Sequence, residues 1–171
     1  HGLIDEARVY AGALTPQELA RDRNARPSLL TNGSFEEGKT GWQGLNQHNK
    51  VLTTETAFDQ QISARITLGP KLVAITHKKV AIDGGKTYQV EAAIRTINAT
   101  GAAFVRLSWQ AGGQVLRVDT FGHTAGTNDW ALKVSGPITA PLDATRLKVQ
   151  LVTENGSGQA YFDAVRVDHT L

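Results

Sequence analysis

Apolar and polar residues alternate over much of the chain after residue 28. The segment 86–96, KTYQVEAAIRT, places most of its apolar side chains on one side of an extended chain and its polar ones on the other. The segment 145–156, TRLKVQLVTENG, shows the same alternation. A period of two predicts strands that bury one face and expose the other to water.

Turn-forming residues separate these strand-like segments at short intervals. Glycine-rich turns are predicted at 83–85, 111–113 and 155–158, and Pro137 and Pro141 bracket a segment that cannot be a central strand throughout. Several short strands with such turns, and no second helical pattern, predict an all-β fold built as an antiparallel β-sandwich.

The first 27 residues have a different pattern. GLIDEARVY reads as a strand, and Thr15 and Glu18 form a capping box that predicts a short N-terminal helix beginning at Pro16. A charged stretch then ends at Pro27, as a linker would. The sequence therefore predicts a boundary between 1–27 and a sandwich domain over 28–171.

Composition excludes several classes of protein. Hydrophobic residues make up 40% and charged residues 20% of the chain, which is ordinary globular composition, and no apolar run reaches the roughly 20 residues of a membrane-spanning helix. A formal net charge of +2 without a Lys/Arg block argues against a nucleic-acid partner. The absence of cysteine fits an extracellular or a cytosolic protein.

No pattern in the sequence indicates catalysis. Adjacent acids such as Asp5-Glu6 and Glu36-Glu37 would point to opposite faces of a strand, so neither pair forms the two-carboxylate site of a glycoside hydrolase. The five histidines lack the spacing of a zinc site. The chain is therefore predicted to be non-enzymatic.

Four segments resemble a known group of proteins. LLTNGSFEEGKTGW, VAIDGGKTYQVEAAIR, NDWALKVSGPITAP and QAYFDAVRVD occur in the order found in carbohydrate-binding modules of families 4, 9, 16 and 22. The resemblance covers about Leu29 to Asp168 and implies a jelly-roll sandwich of the galactose-binding type. GLIDEARVYAGALTPQELARD is similar to the C-terminal end of a concanavalin-like (laminin-G-like) lectin domain.

The resemblance implies a structural Ca²⁺ where the first loop meets the last strand. Mapped onto this chain, its ligands would be the Glu36 carboxylate, a backbone oxygen near Asn32 or Ser34, and Asp163. Gln60 stands where the family usually has a glycine whose turn contributes a carbonyl. The alternative is that Glu36 and Asp163 are solvated or salt-bridged.

Sugar binding normally uses aromatic faces surrounded by planar polar groups. Trp42 and Trp130 fall in motifs where the family uses tryptophan structurally, which leaves Trp109 as either a sugar platform or, by its parity with Val105 and Leu107, a core residue. Around it a polar, net basic floor is predicted, formed by Arg106, Gln110, Glu91, Arg95, Lys148, Gln150 and His77.

Two ligand classes and three functions stay open. A basic floor favours an acidic uronate polymer because guanidinium groups match carboxylates, whereas a neutral glucan or xylan is the family's usual ligand. The leading hypothesis is a carbohydrate-binding module of a secreted, bacterial multidomain protein that holds an appended catalytic domain near polysaccharide. The competing hypotheses are a calcium-stiffened structural or adhesion spacer and, less favoured, a protein-binding module.

Overall fold

The structure is a computed structural model of the 171-residue chain, and it describes residues 27–170. The strand and the helix predicted for the first 27 residues, and with them the lectin-like remnant, lie outside this range apart from Pro27. Within residues 27–170 no helix is long and apolar enough to cross a membrane.

Residues 27–170 form antiparallel strands that confirm the predicted all-β fold. The strands are β1 (Trp42–Gln43), β2 (Lys50–Thr53), β3 (Ser63–Thr67), β4 (Val73–Ala81), β5 (Thr87–Ala111), β6 (Gln114–Thr139), β7 (Arg146–Thr153) and β8 (Gln159–Thr170). The hydrogen-bonded order is β1-β4-β7-β5-β8-β3-β2, with β6 paired to β5.

The long hairpin of β5 and β6 bends and so contributes to two layers. Residues 87–97 of β5 pair with β8, whereas residues 103–110 pair with β7, and β6 follows β5 along both parts. We call the layer of β1, β4, β7, β5 residues 103–111 and β6 residues 114–124 the first sheet. The second sheet contains β2, β3, β8, β5 residues 87–97 and β6 residues 126–139.

The bend brings the two ends of β5 together across the core. The rings of Tyr88 and Trp109 lie 6.0 Å apart, whereas a straight strand would separate the two residues by about 70 Å. Asn98, with φ of 49°, adopts the left-handed conformation at the start of the bend. Gly101 packs against the backbone of Asn155 so closely that a Cβ would collide with it. These two residues therefore permit the turn of the strand from one sheet to the other.

The interior between the sheets is apolar and fully buried. It contains the side chains that the alternation predicts to be buried, including Val90, Ile94, Leu147, Val149 and Leu151. Phe35 of the first loop also lies in this core and packs against Trp42 at 4.9 Å between ring centroids. Burial of these side chains fixes the parity of each strand and thereby decides which residues reach the two outer faces.

Candidate functional site

A continuous row of polar side chains crosses the outer face of the first sheet. Strand pairing sets one residue from each of the five strands side by side, in the order Gln43, Thr76, Gln150, Arg106 and Thr120. The side chains of the three central residues are joined by hydrogen bonds. Arg106 Nε donates to Gln150 Oε1 at 3.0 Å, and Gln150 Nε2 donates to Thr76 Oγ1 at 3.2 Å. We refer to these five residues as the polar row.

The polar row is bounded by an aromatic pair on one side. Phe104 is buried next to Val152, and the exposed ring of His123 stacks on it with centroids 4.4 Å apart and an interplanar angle of 9°. His123 Nε2 lies 3.2 Å from Thr120 Oγ1, which ties the ring to the end of the row. A flat ring therefore lies beside a line of hydrogen-bonding groups, an arrangement that suits a sugar ring.

On the other side of the polar row lie Lys148, Ser108 and Val118. Ser108 pairs with both Lys148 and Val118, and Val118 is 49% exposed. Within residues 27–170, no carboxylate lies within ion-pair distance of Lys148 or of Arg106. The face therefore carries positive charge that the described residues do not neutralise.

The structure places four of the predicted binding residues on this face. Arg106 and Gln150 belong to the polar row, Lys148 lies one pair further along β7, and Gln110 lies near the end of β5 opposite Arg146. The alternation of apolar and polar residues along β5 and β7 was sufficient to predict that these side chains face outward, because the apolar neighbours between them are buried, namely Val105, Leu107, Val149 and Leu151.

Trp109 is not a sugar platform. Its side chain is completely buried, its indole Nε1 donates to Asp119 Oδ2 at 2.6 Å, and the Arg117 guanidinium lies 5.4 Å from the ring centroid. The parity shared with Val105 and Leu107 decides between the two interpretations, in favour of the core.

The prediction that His77 lies on the polar floor is also wrong. His77 is only 3% exposed and points into the core with Ile75, where its ring contacts Trp42 edge-on at 5.1 Å. Burial lowers the pKa of its imidazole, and a hydrogen bond with the Thr31 backbone acts in the opposite direction. Thr76, the preceding residue, takes the outward position instead.

Glu91 and Arg95 lie on the other outer face of the sandwich. Both belong to the part of β5 that pairs with β8, so they do not join Arg106 and Gln110 as predicted. Arg95 instead donates from Nη1 to Thr56 Oγ1 at 2.7 Å, and its Nε lies 3.7 Å from Asp129 Oδ1. The bend in β5 separates the two groups.

The loop of residues 54–62, between β2 and β3, covers part of this second outer face. Thr56 Oγ1 accepts hydrogen bonds from Arg95 and from Trp130 Nε1, the latter at 2.9 Å. Glu55 forms an ion pair with Arg65 at 2.7 Å, and the hydroxyl of the buried Tyr161 donates to Glu55 at 3.2 Å. On this second outer face the polar side chains therefore form hydrogen bonds and ion pairs with one another.

Two carboxyl groups fasten the end of the same loop. Asp163 Oδ2 accepts from the amides of Phe58 and Asp59 at 2.8 and 2.9 Å, while Glu36 Oε1 accepts from those of Gln61 and Ile62. Burial raises the pKa of Asp163 to about 8, although hydrogen bonds from backbone amides act in the opposite direction. Gln60, at the family's glycine position, has φ of 59° and so adopts the conformation that glycine favours.

Hydrogen bonds from backbone amides occupy side-chain oxygens of three of the four residues nominated for calcium, namely Asn32, Glu36 and Asp163. The side chain of Asn32 binds the backbone of its own loop through both its nitrogen and its oxygen, and the Asp163 oxygens accept amide hydrogens. Among residues 27–170 no three His, Cys, Asp or Glu side chains form a group that could hold a metal ion. Ser34 lies with Glu36 along the same shallow cavity of about 490 Å³.

Comparison with known proteins identifies the family. The family model CBM_4_9_1, described as BppA domain 1, matches residues 29–167. The chain belongs to this family of carbohydrate-binding modules. A curated relative that matches is tRNA nuclease WapA of Bacillus subtilis (strain 168), 24% identical over 188 residues, which cover 98% of this chain but 8% of the nuclease. This chain thus spans a small fraction of that protein.

Solved structures share the fold of this module. A family 16 carbohydrate-binding module superposes with a TM-score of 0.66 and 20% identity, covering 82% of this chain and 99% of that one. The CBM22-1 xylan-binding domain of Paenibacillus barcinonensis Xyn10C superposes with a TM-score of 0.64 and 16% identity, covering 84% of this chain and 94% of that one. The CBM22-1-GH10 modules of Clostridium thermocellum xylanase 10B, complexed with xylohexaose, superpose with a TM-score of 0.65 and 14% identity. This match covers 81% of this chain and 28% of that one.

The sequence patterns did not indicate Gln43, Thr76, Thr120 or His123 as site residues. Gln43 lies in a two-residue strand that is too short to show alternation. Thr120 and His123 lie in β6, whose pairing with β5 shifts register several times. Only Thr76 carried a usable signal, because it alternates with the buried Ile75.

Proposed function

We propose that this module binds a polysaccharide across the outer face of the first sheet and has no catalytic role. The observation that carries this proposal is the polar row, a line of amide, guanidinium and hydroxyl groups on a sheet face to which no loop of residues 27–170 is hydrogen-bonded. Five strands spaced about 4.8 Å apart give the row a length of about 19 Å, enough to contact successive sugar units.

The chemistry of the row suits sugar hydroxyls. Amide and hydroxyl side chains both donate and accept hydrogen bonds, so they match hydroxyls that also do both. Gln150 is held by Arg106 and Thr76 before any ligand arrives, which reduces the entropy lost on binding. The His123 ring would cover an apolar sugar face beside the row.

The biological role that we propose is targeting. A module that holds an appended catalytic domain on its polymer raises the local substrate concentration without taking part in the reaction. The xylanase structure, in which such a module and a GH10 module are present together, supports this role. We further propose that the parent protein is bacterial and secreted, where polysaccharide is accessible.

A spacer without sugar binding is the second candidate. It is favoured by the burial of Trp42, Trp109, Tyr88 and Tyr161, which leaves no tryptophan or tyrosine among residues 27–170 on the polar row. The two candidates make opposite predictions for binding to polymers, and they share the fold.

Affinity electrophoresis separates the two candidates. The chain would be run through gels that contain neutral glucan, xylan, mannan, alginate or pectin, at low and moderate salt. Retardation by one polymer that persists at moderate salt, and that Gln150→Ala reduces, is expected for the binding module. Unchanged mobility in every gel would favour the spacer.

Calcium binding near Asn32, Ser34, Glu36 and Asp163 remains a separate proposal, supported by the family resemblance and by the oxygen-rich loop. Adding Ca²⁺ to chelator-treated protein should then raise its thermal midpoint and leave sugar affinity unchanged, because Glu36 and Asp163 bind the loop of residues 54–62 and not the polar row. An identical midpoint with and without Ca²⁺ would argue against it.

A further inference from the structure

Arg106 differs from the other arginines of the described region. Four of the six arginines in residues 27–170 form ion pairs with carboxylates, namely Arg65, Arg95, Arg117 and Arg166. Arg146 is exposed at the start of β7. Arg106 is half-buried, and its one hydrogen bond to another described side chain runs from Nε to the neutral amide of Gln150.

The orientation of Arg106 leaves its terminal nitrogens available. Because Nε is bound to Gln150, which is itself bound to Thr76, the guanidinium plane is fixed relative to the sheet. Nη1 and Nη2 form no hydrogen bond to any described residue. Two parallel N–H donors in one plane match the two oxygens of a carboxylate.

A second cation lies next to this guanidinium. Lys148 pairs with Ser108 and is therefore the diagonal neighbour of Arg106, at about 7–8 Å between backbone positions. Two half-buried cations on one surface repel each other, and an anion placed between them would relieve that repulsion.

We infer that the ligand of the polar row is an acidic polysaccharide, with a uronate carboxylate bound to Nη1 and Nη2 of Arg106 and attracted by Lys148. This inference rests on the proposed function and adds the class of polymer to it. A neutral polymer would leave the Arg106 donors with hydroxyl acceptors only, which are weaker partners for a charged donor.

Matched polymers that differ only in charge test the inference. Binding of the chain to polygalacturonate, alginate and glucuronoxylan would be measured at about 0.15 M salt, where surface charge is largely screened. Each polymer would be compared with its esterified or carboxyl-reduced counterpart. At least one acidic polymer is expected to bind tenfold or more tightly than its neutral counterpart, by an estimate of about 10- to 100-fold for a charged hydrogen-bond pair.

Three variants locate the effect. Arg106→Gln should remove this preference, and Arg106→Lys should lose most of it because the charge remains but the paired donors do not. Lys86→Gln removes the same charge from an exposed turn between β4 and β5 and should bind as the native chain does. A thermal midpoint for each variant establishes that it is folded.

The possible failures are distinguishable. Equal binding to the charged and neutral members of every pair would overturn the inference while leaving the proposed function intact. Absence of binding to all charged and neutral polymers would overturn the proposed function itself. Equal loss of binding in Arg106→Gln and Lys86→Gln, or equal binding of a sulfated polymer, would show general charge attraction and overturn the assignment to a carboxylate.

Discussion

The two outer faces of the sandwich contain similar side chains but arrange them differently. On the second sheet, Arg65 and Arg95 lie beside Glu55 and Asp129, and the loop of residues 54–62 covers part of the surface. On the first sheet, Arg106 has a neutral amide as its partner and no described loop is bonded over it. On the second sheet the charged and polar side chains bind one another, whereas on the first sheet the terminal nitrogens of Arg106 stay available to a ligand.

This difference shows that residue type does not distinguish a face whose polar groups are paired with one another from a face whose donors stay available. Arg95 and Arg106 lie on the same strand, and both were candidates for sugar contact. Their neighbours determine whether they can bind a ligand. An arginine that already binds an acid and a hydroxyl gains little free energy from binding a ligand as well. The following substitutions would break or sharpen the contrast.

The largest effect on stability is expected from Asp163→Ala, which acts on the loop of residues 54–62. The change leaves the amides of Phe58, Asp59 and Ala164 without their acceptor, and it should lower the free energy of unfolding by about 3–5 kcal/mol. Chemical denaturation measures this difference. Glu37→Ala, which removes an exposed carboxylate from the first loop, is the control and should change little. A small effect of Asp163→Ala would mean that the loop is not held through this carboxylate.

The same carboxylate should make stability depend on pH. The folded pKa of Asp163, about 8, lies above its ordinary value of 3.8. The folded protein therefore retains this proton where the unfolded chain has released it, so its contribution is greatest below about pH 4 and is lost as pH rises towards 8. Unfolding curves between pH 4 and 9 should show this decline in the native chain and lack it in Asp163→Asn. A native stability that rises over this window would contradict the assignment.

Gln150→Glu should give the outer face of the first sheet an arginine that is paired with an acid, as on the second sheet. The new carboxylate would pair with Arg106 and occupy it, so affinity for an acidic polymer should fall by about tenfold while the fold persists. Gln110→Glu adds the same charge further along the first sheet and should reduce binding less. Isothermal titration calorimetry on both variants compares them. An equal loss in both would indicate a diffuse electrostatic effect.

Thr56→Val tests the fastening of the covering loop. It removes the hydroxyl bound by Arg95 and Trp130 but keeps the shape of the side chain, and it should cost about 1–2 kcal/mol of unfolding free energy. Thr54→Val, at an exposed position of the same loop, is the matched control. If both variants unfold at the same denaturant concentration as the native chain, the hydroxyl does not fasten the loop.

The smallest effect is expected from Glu55→Gln. Its pKa is lowered chiefly by the hydrogen bond from Arg65, but the Glu55 side chain is 57% exposed, so solvent screens the pair. The thermal midpoint should barely change at low salt and not at all at high salt. A large drop would show that this exposed pair matters more than the Thr56 hydroxyl.

The sequence predicted the strands and the parity of most residues, because alternation reports directly on burial. It could not predict which sheet a strand belongs to. Glu91 and Arg106 both lie on polar sides of β5, yet the bend near Asn98 and Gly101 separates them. The segment AITHKKV has no clear hydrophobic pattern after Ile75, so only parity with the buried Ile75 indicated that Thr76 faces outward and His77 inward.

The covering of the second outer face was also beyond the sequence patterns. The loop of residues 54–62 is fastened by contacts to Glu36, Arg95, Trp130 and Asp163, which are distant in sequence. Contacts of this kind depend on the assembled fold, and so does the absence of an acid near Arg106 among residues 27–170.

Mapping amide chemical shifts during titration with an oligosaccharide tests the central claim most directly. The ligand would be a fragment of whichever polymer retards the chain, with trigalacturonate as the first choice. The polar row predicts the largest shifts at and around Thr76, Arg106, Gln150 and Thr120, with residues 54–62 unaffected. Shifts confined to residues 54–62 and Trp130, or no shifts with any fragment, would contradict the assignment of the first sheet as the binding face.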